Sequence, residues 1–112
     1  MSTPALMGEV ARRADAVATA VAGCPLVAGL HGGRYDHIAT YLPGRRVAGI
    51  RLTETGLDIH VVARYPASVA EVADQVRAAV APYAGGLPVA VVIEDLELPG
   101  QHQLRDNQTQ EC

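Results

Sequence analysis

Three residues whose side chains bind transition metals lie close together in the first third of the chain. Cys24, His31 and His37 are separated by seven and six positions, and thiolate and imidazole are ligands that suit zinc. These spacings are not the short, repeated ones of structural zinc sites. The other interpretation is that Cys24 is a small buried residue after a helix and that the histidines lie on a loop and at a strand start. A metal-binding or small-ligand-binding module is therefore the alternative function.

The residues needed for nucleophilic catalysis do not occur in a recognisable arrangement. His31-Gly32-Gly33 resembles the start of an oxyanion-hole loop, because glycines allow backbone amides to point at one developing negative charge. The chain has no G-x-S-x-G motif, and its two serines lie near the N-terminus and at a helix cap. The end of the last strand carries three carboxylates, Glu94, Asp95 and Glu97. Solvated carboxylates at a strand end are common and do not by themselves indicate catalysis. From these observations together we expect no catalytic residue, no cofactor, no metal and no enzyme activity.

Charge and composition exclude further classes of protein. The 112 residues include nine basic and twelve acidic side chains, and all nine basic ones are arginines. The net charge of −3 argues against nucleic-acid binding, which requires clustered positive charge. The chain has no run of about 18 apolar residues, as a membrane-spanning helix would need, and no basic leader segment. We expect a cytoplasmic protein that does not insert into the membrane.

Hydrophobic periodicity predicts two amphipathic helices. The first is expected over residues 4–22, where apolar residues recur at the spacing of one buried stripe. Ser68-Val69-Ala70-Glu71 has the pattern of a capping box, which begins the second helix. The apolar side of this second helix is expected to contain Val69, Val72, Ala73, Val76, Ala79, Val80 and Tyr83.

Short apolar or alternating runs predict strands at residues 26–30, 38–42, 47–53, 57–65 and 89–94. The third and fourth runs form a hairpin. The order α-β-β-β-β-α-β predicts an α+β fold, a two-layer sandwich with two helices on one face of a small mixed sheet. We expect residues 1–100 to form this single domain and residues 101–112 to be a disordered C-terminal tail.

The sheet face turned away from the helices is the candidate interaction surface. Alternation along the fourth strand places His60, Val62 and Arg64 on one face, and Ala90 and Val92 lie on the matching face of the last strand. Apolar side chains among charged ones are typical of partner surfaces, although scattered surface valines also occur without any role. We expect these five residues to contact a partner.

Residues 47–98, together with Val27-Ala28-Gly29-Leu30, resemble the alkaline-shock-protein family of bacterial envelope stress response proteins. The resemblance lies in the strand 57–65, in Gln75-Val76-Arg77 of the second helix, and in the segments 87–89 and 91–96. It implies a small non-enzymatic cytoplasmic protein that acts in envelope stress response or homeostasis. It also implies association with copies of itself, or recruitment to a membrane-anchored partner at the membrane periphery. The family supplies no catalytic residues.

Overall fold

A computed structural model describes residues 3–33 and 37–98, with side chains from residue 8 onward. In chain order the elements are α1 (Thr3–Ala22), β1 (Val27–Leu30), β2 (Ala39–Leu42), β3 (Arg45–Ala48), β4 (Ile50–Leu52), β5 (Leu57–Arg64), α2 (Val69–Val80), a 3₁₀ turn (Ala81–Tyr83) and β6 (Val89–Glu97). The predicted α+β class, with helices packed against a mixed sheet, is confirmed. The expected disorder of residues 101–112 concerns a segment outside the described residues.

The long strand β5 is the centre of the sheet. β4 pairs antiparallel with its first half and β1 antiparallel with its second half, so these two short strands follow one another along one side of β5. β6 runs parallel to β5 along the other side. The inward face of β5, which packs into the core below the helices, consists of Leu57, Ile59, Val61 and Ala63.

The two short strands meet at His60. Its N–H donates to Gly49 O at 2.9 Å, and its C=O accepts from the His31 N–H at 2.8 Å. Gly49 has a φ of +84°, and a Cβ there would lie 2.9 Å from Leu30 Cβ. Only glycine satisfies both the positive φ and this close approach. The prediction of one strand over 47–53 is therefore wrong, because Gly49 separates β3 from β4.

After this separation, β3 pairs with β2 instead of continuing the main sheet. The two form an antiparallel hairpin in which Ala39 lies opposite Ala48 and Leu42 opposite Arg45. The exposed ion pair between Arg45 and Asp15, at 2.8 Å, connects this hairpin to α1. The hairpin therefore packs against α1 as well as against β4.

The predicted capping box at the start of α2 is confirmed. Ser68 Oγ accepts from the Glu71 N–H at 3.1 Å, and Glu71 Oε1 accepts from the Ser68 N–H at 2.8 Å. The predicted apolar side is correct in its centre, because α2 buries Val72, Ala73, Val76 and Val80.

Two residues expected on the apolar side of α2 are not buried. Val69 is 65% exposed and Tyr83 is 43% exposed. Val69 is the first residue of the helix, beside its cap. The α-helix ends at Val80 and continues as a 3₁₀ turn, so the 3.6-residue period no longer applies at Tyr83.

Neither described helix is long and apolar enough to cross a bilayer.

Candidate functional site

The outer face of the sheet is the face turned away from α1 and α2. Burial alternates along β5, with buried residues on the inner face and accessible or half-buried residues on the outer face. In the parallel register His60 lies opposite Val92 and Arg64 lies opposite Glu97. The residues expected to contact a partner therefore share this face, and their role in binding stays a prediction.

The most accessible apolar atoms of the outer face belong to β6. Val92 is 39% exposed, and Ala90 is also exposed, whereas Val62 on the neighbouring strand is half-buried. Because β6 lies at the edge of the sheet, fewer neighbours cover its side chains than those of β5. A partner would therefore meet Val92 and Ala90 before Val62.

The His60 side chain is less accessible to a partner than strand alternation in the sequence predicts. Its Nδ1 hydrogen-bonds with Glu94 Oε2, and the two side chains are only 13% and 26% exposed. A Cβ added to Gly33 would lie 3.7 Å from the same carboxylate oxygen, so the segment after β1 passes close to this pair. The imidazole is held by the protein's own residues, and it forms part of the framework of the outer face.

A β-bulge in β6 places two successive carboxylates on the outer face. Ile93 lies opposite Val61 and Asp95 lies opposite Val62, so Glu94 is the extra residue. Glu94 turns to His60, and Asp95 lies beside Val62. Strict alternation would have placed Asp95 on the inner face, and a charged residue at that point was the one sequence signal of the bulge.

A depression in the outer face lies above Val62 and has a volume of about 270 Å³. The depression exists because Gly29, which lies opposite Val62, has no side chain. A Cβ added at Gly29 would have no other atom within 4 Å. The site was not foreseen from the sequence, because it depends on the pairing of β1 with β5. The residues that line this outer-face depression are Ala28, Gly29, His31, Val62, Asp95, Leu96 and Glu97.

Arg64 mainly contacts its own sheet. Its Nε donates to Val27 O at 3.3 Å, and its Nη1 lies 4.0 Å from Glu97 Oε1. The guanidinium thus spans from β1 to β6 across the end of β5. Its side chain is 55% exposed, so it can meet a partner only while it also holds these strand ends.

The candidate metal ligands are not brought together. Cys24 is 5% exposed, and its Sγ donates to Ala20 O at 3.5 Å. Burial raises the pKa of this thiol, which keeps it protonated. His31 lies at the other end of β1, where its Nδ1 accepts from the Gly33 N–H at 2.9 Å. Across residues 3–33 and 37–98, no group of three His, Cys, Asp or Glu side chains is arranged to hold a metal ion.

The His60–Glu94 pair has the form of a base with an orienting carboxylate, which is one part of a catalytic triad. Three hydroxyl or thiol side chains of the described residues are engaged elsewhere. Ser68 caps α2, Cys24 lies in the core, and Thr40 Oγ1 donates to Ile50 O at 2.6 Å. The pair joins the neighbouring strands β5 and β6.

Comparisons of this chain with models of protein families, with curated proteins and with solved structures found no match. The likeness to the alkaline-shock-protein family stays a prediction from the sequence. The geometry of the outer face is therefore the basis for the function proposed below.

Proposed function

We propose that this protein is non-enzymatic and acts by binding other protein chains through the outer face of its sheet. Copies of itself are the first partner and a membrane-anchored protein is the second. One observation carries the proposal: α1 and α2 pack against the inner face, while Val62, Ala90 and Val92 leave apolar surface accessible on the opposite face. Exposed apolar surface bordered by polar groups is typical of interaction sites.

The outer-face depression indicates what kind of side chain a partner would insert. Its lining includes Gly29 and Val62 together with the acidic residues Asp95 and Glu97. An arginine side chain suits this combination, because its apolar stem covers hydrophobic surface while its charged end reaches the carboxylates. All nine basic residues of the chain are arginines, so a second copy can supply this group.

The cellular role and location that we propose for this binding are based on the family resemblance. It supports a role in envelope stress response or homeostasis, a cytoplasmic location, and recruitment to the membrane periphery through the second partner. A partner with an apolar residue flanked by basic ones would complement the outer-face depression in either case.

Substitution of Val62 by glutamate tests the proposal. Val62 is half-buried on the outer face, so Val62→Glu adds a charge to the binding surface without opening a cavity in the core. We expect a protein that stays folded by circular dichroism and whose mass by light scattering, which is 11.7 kDa for a monomer, is lower than that of the wild type at the same concentration. Val69→Glu, at a 65% exposed position on α2, is the matched control and should associate as the wild type does.

Two results would count against the proposal in different ways. If Val62→Glu has the same mass as the wild type at every concentration, the outer face is not the binding surface. If the wild type is monomeric throughout, self-association is excluded, and co-sedimentation with cell membranes then tests the second partner. In that assay the wild type should be retained and Val62→Glu should be lost.

A further inference from the structure

One side of the β6 backbone makes no backbone hydrogen bonds in the described part of the chain, although Val89 O on that side accepts from Arg77 Nε at 3.3 Å. The Leu57 N–H donates to Pro88 O at 2.9 Å, and in this register the even-numbered residues before the bulge bond to β5. Successive residues of a parallel strand direct their backbone groups to opposite sides. The N–H and C=O groups of Val91 and Ile93 therefore point to the free edge of the sheet.

The two halves of this edge differ in how they are protected against pairing. The second half contains the bulge and three carboxylates, and Asp95 Oδ1 accepts from the Leu96 N–H at 2.8 Å. Bulges and charges are devices that natural proteins use to prevent strands from adding to an edge. The first half, Val89–Ile93, has no charge, proline or bulge. On this edge, the first half is therefore the part that an additional strand can pair with.

A second copy of β6 fits this half edge when it runs antiparallel. With a two-fold axis at Val91, the segment Val89–Ile93 lies opposite the same segment of the other copy, as an isologous interface requires. Val91 then exchanges backbone hydrogen bonds with Val91 of the other copy, and Ile93 exchanges them with Val89 of the other copy. Ala90 of each copy comes opposite Val92 of the other on the outer face, and the carboxylates lie beyond the paired residues.

Charge favours the antiparallel direction. Arg77 of α2 is exposed, and its Nε donates to Val89 O at 3.3 Å, so a positive charge lies at the beginning of β6. Glu94, Asp95 and Glu97 lie at its end. Antiparallel pairing brings the acidic end of one copy beside the basic beginning of the other, whereas parallel pairing would bring acidic end to acidic end.

We propose that two copies of this protein join through antiparallel pairing of β6 over Val89–Ile93, which makes one continuous sheet across the dimer. This proposal rests on the proposed function, whose first partner is a second copy, and adds the edge of the sheet as a contact beside the outer face. The outer faces of the two copies become one surface, with Ala90 and Val92 at its centre.

Amide hydrogen exchange of the unmodified full-length protein tests the pairing directly. At high protein concentration the amides of Val91 and Ile93 should exchange at least roughly tenfold more slowly than at low concentration, because pairing removes them from water. The amide of Thr55, which donates to Thr53 Oγ1 at 3.3 Å within the exposed β4–β5 turn, should exchange at the same rate in both samples. Equal rates for Val91 and Ile93 at the two concentrations would overturn the proposal.

Two variants test the pairing through the mass of the protein in solution. Val91→Pro removes an N–H that faces the free edge and no hydrogen bond to β5, and Val92→Lys adds a charge to the unprotected half. Both should have a mass of 11.7 kDa where the wild type has twice that value, and circular dichroism verifies that each is folded. A Val92→Lys protein that dimerises as the wild type does would contradict the proposal.

The two proposals fail in different ways. If Val62→Glu dissociates the protein while the Val91 and Ile93 amides exchange equally at both concentrations, the outer face binds and the edge does not. If the amides are protected and Val62→Glu remains dimeric, edge pairing stands and binding through the outer face is wrong. A wild type that is monomeric at all concentrations overturns the edge pairing.

Discussion

Glu94 Oε2 hydrogen-bonds to His60 Nδ1 across two neighbouring strands, and an irregularity of the backbone positions each partner. His60 lies where β1 and β4 meet along β5, and Glu94 is the extra residue of the bulge in β6. The pair therefore joins the edge strand to the centre of the sheet. It also separates the uncharged half of β6 from the acidic half, and so marks the limit of the surface proposed for association.

The His60–Glu94 pair should contribute measurably to stability. Both side chains are mostly covered, so a double-mutant cycle with His60→Ala and Glu94→Ala should give a coupling of about 1 kcal/mol in the free energy of unfolding. The control cycle uses Arg51 and Asp58, an ion pair at 3.4 Å with side chains 48% and 36% exposed. It should give less than about 0.5 kcal/mol. Additive effects at His60 and Glu94 in denaturant titrations would contradict this account.

Gly49 should tolerate no side chain. Gly49→Ala combines a positive φ with a Cβ 2.9 Å from Leu30 Cβ and 3.2 Å from His60 O, and should lower the free energy of unfolding by at least about 2 kcal/mol. Gly44 is the matched control, because its φ is +77° but nothing lies within 4 Å of an added Cβ. Gly44→Ala should lower the free energy of unfolding by only about 1 kcal/mol. Equal losses in thermal or denaturant unfolding would show that the close approach at Gly49 is unimportant.

Cys24 should make stability depend on pH in the alkaline range. Burial raises the pKa of its thiol above the ordinary value, which is about 8.5. The folded protein therefore favours the neutral thiol, and the unfolded chain loses its proton first as the pH rises. This contribution is fully present below the unfolded pKa and disappears as the pH rises through the folded pKa.

The measurement is the free energy of unfolding between neutral and alkaline pH in a Cys112→Ser background. Stability should fall more steeply above about pH 8.5 in that protein than in one that also carries Cys24→Ala. The neutral Cys24 thiol should also react with an alkylating reagent only as fast as the protein unfolds. Rapid alkylation of the native protein would show that the thiol is accessible.

The helices and the main strands of the sheet could be predicted because local sequence patterns determine them. The capping box at Ser68 and Glu71 predicts the start of α2, and the turn before β5 predicts the β4–β5 hairpin. Gln75 carried part of the family resemblance, and its Oε1 accepts from the Leu26 N–H at 2.8 Å, which connects α2 to the beginning of β1. Its role in this structure is therefore to hold the fold together.

The candidate site was only partly predictable because it depends on pairing between distant segments. Alternation correctly placed Val62 and Val92 on one face. It could not show that Gly29 lies opposite Val62 and leaves a depression there, or that a bulge turns Glu94 to His60. Both features arise from register, which is set by contacts between residues far apart in the sequence.

Filling the outer-face depression tests the central claim most directly. A Cβ added at Gly29 has no other atom within 4 Å, so we expect the side chain of Gly29→Leu to enter the depression. The control is Ala70→Leu on the exposed side of α2. The measurement is the mass of each purified protein by light scattering over a dilution series.

We expect the wild type and Ala70→Leu to exceed 11.7 kDa at high concentration and to approach it on dilution. Gly29→Leu should have a lower mass than both proteins at the same concentration, because the filled depression no longer accepts a side chain of another copy. If Gly29→Leu associates as strongly as the wild type, or if the wild type itself never exceeds the monomer mass, self-association through the outer face is contradicted.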